Sequence, residues 1–248
     1  NVHPPGYEGR PVFYHTSKGI ETARIVRLHQ ILGTDNPLSM EDHIRIQLDA
    51  YSLAAERDIP AFQGWVSDDA DIEWARGLIA EWDATLTRES TAAALYVRWQ
   101  EEVDETVQNL EISVTERQTL VEQGLESAIE RLAAELGPNR DNWRHGRVHA
   151  SKLPHIMTPA FDLPTVERPG GFGSINATGA NFRRIINFAD LDLSIASNSP
   201  GQSAQPGSSF YDNLVDNLGN GEYFPLLYTR DAVEEREAHR LILQPVTQ

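Results

Sequence analysis

The sequence predicts an α+β chain with a helical first half and strands in its second half. Three observations carry that prediction. Apolar residues recur at helical spacing from Ile20 to Leu136, short β-type runs punctuated by Gly and Pro follow Asn142, and the helices precede the strands instead of alternating with them. The division falls as residues 1–140, mostly helical, and 141–248, β-rich.

Taken in order, Ile25, Leu28, Ile31 and Leu32 form the first apolar helical face. Ser39-Met40-Glu41-Asp42, a hydroxyl cap followed by acids in the first turn, opens a second segment expected to run to Ala61. Asp68, Asp69 and Asp71 mark another helix start. Leu95, Trp99, Val103 and Val107 define a further face, and Gly137-Pro138 closes the segment ending LESAIERLAAEL. The Glu and Arg between the apolar positions read as a solvated helix face. Beyond Asn142 the runs RVHASKL, GSINATG, FRRIINFA, LSIAS and HRLILQP are expected strands, and the stretch from Pro154 to Phe172 is a Pro-rich connection. Strands so short and few leave open edges, which implies partner strands elsewhere.

Composition excludes several classes of function. With 40% hydrophobic and 23% charged residues the chain is not disordered throughout, and a net charge of −16 opposes nucleic acid and anionic membrane surfaces as partners. The absence of cysteine removes disulfides and thiolate chemistry together. No apolar run approaches the ~20 residues of a membrane-spanning helix. The chain opens with Asn1 and shows neither an export signal nor a cleavage pattern, so it is expected to be cut from something longer.

A search for chemistry finds no complete active site. There is no G-x-S-x-G elbow and no S-x-x-K, and Ser203 in GQSAQ is not an elbow. His145 and His149 are four apart, but H-G-R-V-H lacks the Glu and the helix of a zincin and reads as a strand start with partly exposed histidines. His29 and His43 read as boundary or surface residues. Gly170-Gly171-Phe172-Gly173 lacks the Lys-Ser/Thr of a phosphate loop, and Asn176-Ala177-Thr178 is a glycosylation sequon by pattern but equally a run of small strand residues. NSPGQSAQPGSSFYDN, from Asn198 to Asn213, has the composition of either a linker or a shaped loop.

An ordered set of motifs points further. W-R-H-G-R-V-H-A-S-K-L-P-H resembles an element near the C-terminus of the penicillin acylase (penicillin amidase) family. It is followed by G-G-F-G-S-I-N-A-T-G-A-N-F-R, S-P-G-Q-S-A-Q-P-G-S-S-F-Y-D-N-L, G-E-Y-F-P-L and an ending from Val233 to Pro245 of the family's type. Upstream, A-R-I at Ala23 to Ile25, S-M-E-D, Q-L-D-A-Y-S and A-E-W-D-A-T keep the family's order. Two departures are Ala204, where the family usually has Gly, and Arg144-His145, where it has an aromatic pair.

The resemblance implies part of an αββα N-terminal nucleophile hydrolase, cleaving an N-acyl amide such as a β-lactam or acyl-homoserine lactone side chain through an acyl-Ser. The nucleophile would lie outside this chain, which would be the C-terminal portion of the catalytic subunit and inactive alone. Arg24 matches the family Arg beside the nucleophile's amine, and Asn1 loosely matches the Asn that donates to the oxyanion; the bland alternative for Arg24 is a solvent-facing helix arginine. NSPGQSAQPGSSFYDN becomes an ordered loop leading from a strand into a short helix. The family's calcium ligands lie upstream, so no metal and no cofactor are expected in this chain. Its implied partners are the upstream catalytic-subunit segment, the small subunit and a small N-acyl amide, with no nucleic acid and no membrane, in the periplasm or outside the cell. The competing function, from another class, is a non-catalytic acidic module that binds or scaffolds.

Overall fold

In the computed structural model the described residues are 23–33, 37–103, 112–171, 173–177, 182–238 and 240–244. The chain forms two compact units, Asn1–Ala180 and Asn181–Gln248. Helices dominate the first half and small antiparallel sheets lie in the second, an α+β arrangement.

The first unit is built from α1 (Ala23–Leu32), α2 (Met40–Gln47), α3 (Leu53–Asp58), α4 (Ala70–Ala80), α5 (Thr91–Glu102) and α6 (Val114–Leu136). Ser39 and Asp42 form a reciprocal capping box on α2, and Asp69 caps α4 through the amides of Asp71 and Ile72. The segment expected to continue to Ala61 breaks after Gln47. There the Asp49 carboxylate accepts from the Tyr51 amide at 3.0 Å, Tyr51 bridges to Thr85, and Ser52 starts a new cap on α3. A local side-chain acceptor has displaced the next helical hydrogen bond. α6 ends at Gly137, as the Gly-Pro signal requires.

The core of this unit lies where α5 crosses α4 and α6, with Leu95, Trp99, Leu125 and Leu132 essentially inaccessible to solvent. Gly124 of α6 faces Trp99, leaving so little room that an added Cβ would sit 2.8 Å from the indole. The charged residues between are not merely a solvated face. Arg98, 9% exposed, bonds Glu101 at 2.8 Å and Glu135 at 2.6 Å, and Arg131 joins Glu101, Glu102 and Glu135 within 3.0 Å. An ion-pair network therefore ties α5 to α6. Val107 and Ile20 lie outside the described residues.

After α6 the chain makes one short helix, α7 (His145–Val148), where a strand start was expected. The amides of His145 and Gly146 are held by Ser90 and Arg88 carbonyls at 3.1 and 2.8 Å, which curls the backbone before the strand begins at Ser151. β1 (Ser151–Leu153) pairs antiparallel with β2 (Leu163–Val166), inside the stretch that reads as a connection. Pro164 lacks an N–H to pair, and a two-stranded sheet has only edges, where Pro is tolerated.

The second unit holds β3 (Phe182–Ile185), β4 (Ile195–Asn198), α8 (Val215–Asn220), β5 (Phe224–Pro225) and α9 (Arg230–Arg236), with the sheet order β3-β4-β5. β3 and β4 pair in register from Phe182↔Asn198 to Ile185↔Ile195. NSPGQSAQPGSSFYDN leads from β4 toward α8 and closes on itself, with the amides of Gln202 and Ser203 both donating to Phe210 O and Leu214 donating to Pro200 O. Gly201 is required there: a Cβ would lie 2.3 Å from Phe210 O and 2.5 Å from Tyr211 O. The run HRLILQP forms no strand among its described residues; Leu241, Ile242 and Leu243 have no regular secondary structure and are 71–84% exposed. A short apolar run makes a strand only with a neighbour to pair with.

Candidate active site

Helix α1 buries no residue completely, so something other than apolar packing must place it. Two arginines on one face, three residues apart, do so. Arg24 Nε–H donates to the backbone carbonyl of Ser174 at 3.0 Å. One turn on, Arg27 donates from Nε and a terminal nitrogen to Asp49 Oδ2 at 3.1 and 2.8 Å, with its guanidinium 4.6 Å from the centre of the Tyr51 ring. Arg24 is exposed, and neither of its terminal nitrogens bonds another described residue. A cation pinned at Nε and open at its fork is arranged to receive an acceptor, such as a carboxylate or a developing oxyanion.

The carbonyl that holds Arg24 is itself held. Ser174 is 0% exposed, and its hydroxyl accepts from the Gly171 amide at 3.0 Å and lies 3.0 Å from Gly171 O and 3.1 Å from Asn176 O. Gly171 N–H also reaches Asn176 O at 3.1 Å, and Asn176 N–H reaches Asp49 O at 2.8 Å. The described part of GSINATG, residues 173–177, is thus a tight turn, not the expected strand, because the Ser174 hydroxyl takes the partners a ladder would use. Gly170 permits it with φ +80°, where any Cβ would lie 2.0 Å from Asn176 O. Asn176 is 2% exposed, which removes the sequon from the surface in the folded chain.

His145 fastens the other end of this turn. Its Nε2 lies 2.6 Å from Gly170 O, and since a carbonyl only accepts, Nε2 carries the proton and Nδ1 is left as an acceptor with no partner. The ring is 1% exposed, unlike the partly exposed residue expected, and stacks on His149 at 5.4 Å; His149 is partly exposed as expected, and neither histidine lies in a strand. Burial, chiefly, brings the His145 pKa down from 6.5 to about 4, opposed by the Gly170 carbonyl and helped by His149 and Arg98. Burial lowers His149 too; neither of its nitrogens makes a well-formed hydrogen bond, although the Arg168 backbone is near enough to favour the charge. Both rings line a cavity of about 510 Å³ with Ser52, Tyr96, Arg98 and Gly171. No cluster of three or more His, Asp or Glu among the described residues is arranged to hold a metal ion.

The penicillin amidase family model matches residues 2–235. The chain belongs to the penicillin amidase family. No curated protein matches it closely enough for comparison. The kind of function is therefore that of an acylase, an amide-cleaving hydrolase. Of the two catalytic positions expected in this penicillin amidase chain, Arg24 sits on α1 at the edge of the Gly170–Asn176 turn, and Asn1 lies outside the described residues. Sequence reasoning missed Ser174, Asp49 and His145. For Ser174 a signal was present: a Gly pair followed three residues later by Ser and then Asn has the chemistry of a turn, not of a strand.

Proposed function

We propose that this chain is the C-terminal portion of the catalytic subunit of an acylase that hydrolyses an N-acyl amide through an acyl-Ser, the Ser being supplied from outside the chain. The observation that carries the reading, beside the family membership, is the geometry of Arg24: fixed at Nε by a buried carbonyl, with both terminal nitrogens open among the described residues. In this mechanism the Ser hydroxyl attacks the amide carbonyl and its own α-amine takes the proton. The α-amine passes that proton to the substrate nitrogen, the C–N bond breaks to release the product amine and leave the acyl-Ser, and water then releases the acid. Arg24 holds the field around that amine and the developing oxyanion, a task for a permanent cation in a fixed place. Asn1 donates to the oxyanion. Substrates are small N-acyl amides of the β-lactam or acyl-homoserine lactone kind, the partners are the upstream catalytic segment and the small subunit, and the setting is periplasmic or extracellular.

Two features support a partnered chain. The sheet edges at β1, β2, β3 and β5 are unpaired among the described residues, and Phe188, Leu241 and Leu243 expose more than 80% of their surface. Such edges and side chains are ordinarily covered.

The test compares the chain alone, the chain co-expressed with the upstream region, and the co-expressed Arg24→Leu variant, assayed by release of a chromogenic amine from phenylacetyl and long-chain acyl amides. Activity is expected only with the upstream region, and Arg24→Leu should lower kcat about 100-fold, near 3 kcal/mol of barrier. Turnover by the chain alone, or an Arg24→Leu variant within a factor of about 2 of the parent, overturns the proposal.

A further inference from the structure

We infer that Ser174 is a positioning residue for Arg24 and that the Gly170–Asn176 turn exists to aim that guanidinium; the inference rests on the catalytic role proposed for Arg24. The path from core to site is continuous. His145 Nε2–H holds Gly170 O, the Ser174 hydroxyl holds the Gly171 amide, and Ser174 O holds Arg24 Nε. Asp49 closes a second path, since its backbone carbonyl accepts from Asn176 while its carboxylate grips Arg27 on the same helix.

Three hydrogen-bonding groups converge on one fully buried hydroxyl in this turn, while the arginine they hold is exposed. A long side chain at the surface normally samples many rotamers and loses about 2 kcal/mol of entropy when fixed. Fixing Nε at a carbonyl that cannot move restricts the fork of Arg24 before any substrate arrives. The division of labour is specific: the Ser174 carbonyl touches Arg24, and the Ser174 hydroxyl keeps that carbonyl in place. Removing the hydroxyl leaves the contact atom present and its position undefined.

Such a role predicts an effect on turnover that passes through Arg24 and nowhere else. The experiment is a double-mutant cycle in the complete acylase with Ser174→Ala, Arg24→Leu and the pair, following kcat and KM separately on a chromogenic acyl amide. Ser174→Ala should lower kcat about 10-fold with KM within a factor of about 2. In the Arg24→Leu background the same change should cost less than a factor of about 2. Arg27→Met, which releases the second grip on α1 from a partly exposed site, is the parallel variant should Ser174→Ala fail to accumulate; it should lower kcat about 3-fold and lose that effect in the same background. An equal kcat loss in both backgrounds would make Ser174 a structural residue and overturn the inference while leaving the role of Arg24 intact. A parent-like Ser174→Ala would overturn it too. If Arg24→Leu itself turns over at the parent's rate, the catalytic reading of Arg24 and this inference fall together.

Discussion

Lowering the pH from 7 to 4 should strip stability from the helical unit through one side chain, His145. Its ring is buried and neutral, with a pKa brought down from 6.5 to about 4 principally by burial. In the unfolded chain the same imidazole takes a proton near its ordinary value. The stabilising contribution is therefore complete above about pH 6.5 and is lost as the pH falls toward 4. At about 1.4 kcal/mol per pH unit, the gap amounts to roughly 3 kcal/mol, and little screening applies to a ring so inaccessible to water. Asp42, Glu73 and Glu135 have pKa values below the usual carboxylate range and lose stability as the pH drops as well, so the parent's acid sensitivity alone decides nothing.

The difference between parent and His145→Gln isolates the term. Gln can still donate to Gly170 O and does not titrate, while His149, Arg98 and Glu101, the charged and titratable neighbours at the cavity, are common to both proteins. All five tryptophans, Trp65, Trp74, Trp82, Trp99 and Trp143, belong to the helical unit, so urea unfolding followed by tryptophan fluorescence reports on it directly. The parent's advantage over the variant should shrink by about 2–3 kcal/mol between pH 7 and pH 4. A difference constant to within about 0.5 kcal/mol would refute the assignment of a buried neutral imidazole.

Two further substitutions test the packing around the site. Gly170→Ala combines a φ of +80° with a Cβ 2.0 Å from Asn176 O, and should cost about 3 kcal/mol or more in urea unfolding; an ordinary stability would mean the turn is not closed as described. Gly124→Ala gains about 1 kcal/mol of helix propensity but drives a Cβ to 2.4 Å from Val103 and 2.8 Å from Trp99, so overpacking of about 1–3 kcal/mol should leave it destabilised. A raised thermal midpoint for Gly124→Ala would refute the close approach of α5 and α6.

What was legible in the sequence follows from how local each cause is. The α2 cap at Ser39, the α4 cap at Asp69 and the α6 stop at Gly137 are set by residues within one turn, and all three stand where the pattern puts them. β3 and β4 were readable because short runs holding Phe182, Ile185 and Ile195 lie between turn-forming residues. The misses share a different origin. The break after Gln47 depends on Asp49 turning back onto Tyr51 and on a bridge to Thr85; α7 depends on carbonyls of Arg88 and Ser90; β2 depends on β1 accepting a Pro at an edge. Apart from Asp49, these partners lie outside the segments they reshape, so no window of periodicity could contain them.

The same distinction separates the halves of the candidate site. A family pattern marks the position of Arg24, yet the pattern could not say what makes this arginine differ from Arg45, which among the described residues reaches only Asp42 on its own helix. The difference lies 150 residues away in sequence, at the Ser174 carbonyl. A guanidinium whose partner is another flexible surface chain contributes little beyond its mean field, because both ends move and water screens the pair. One whose Nε is fixed to a buried backbone atom keeps its fork in a definite place, and direction is what electrostatic stabilisation of a transition state requires. On that argument the catalytic role proposed for Arg24 depends less on the arginine alone than on Gly170, Ser174 and His145, which hold the carbonyl. Changing residues that never touch the substrate then forfeits part of what the arginine they aim contributes.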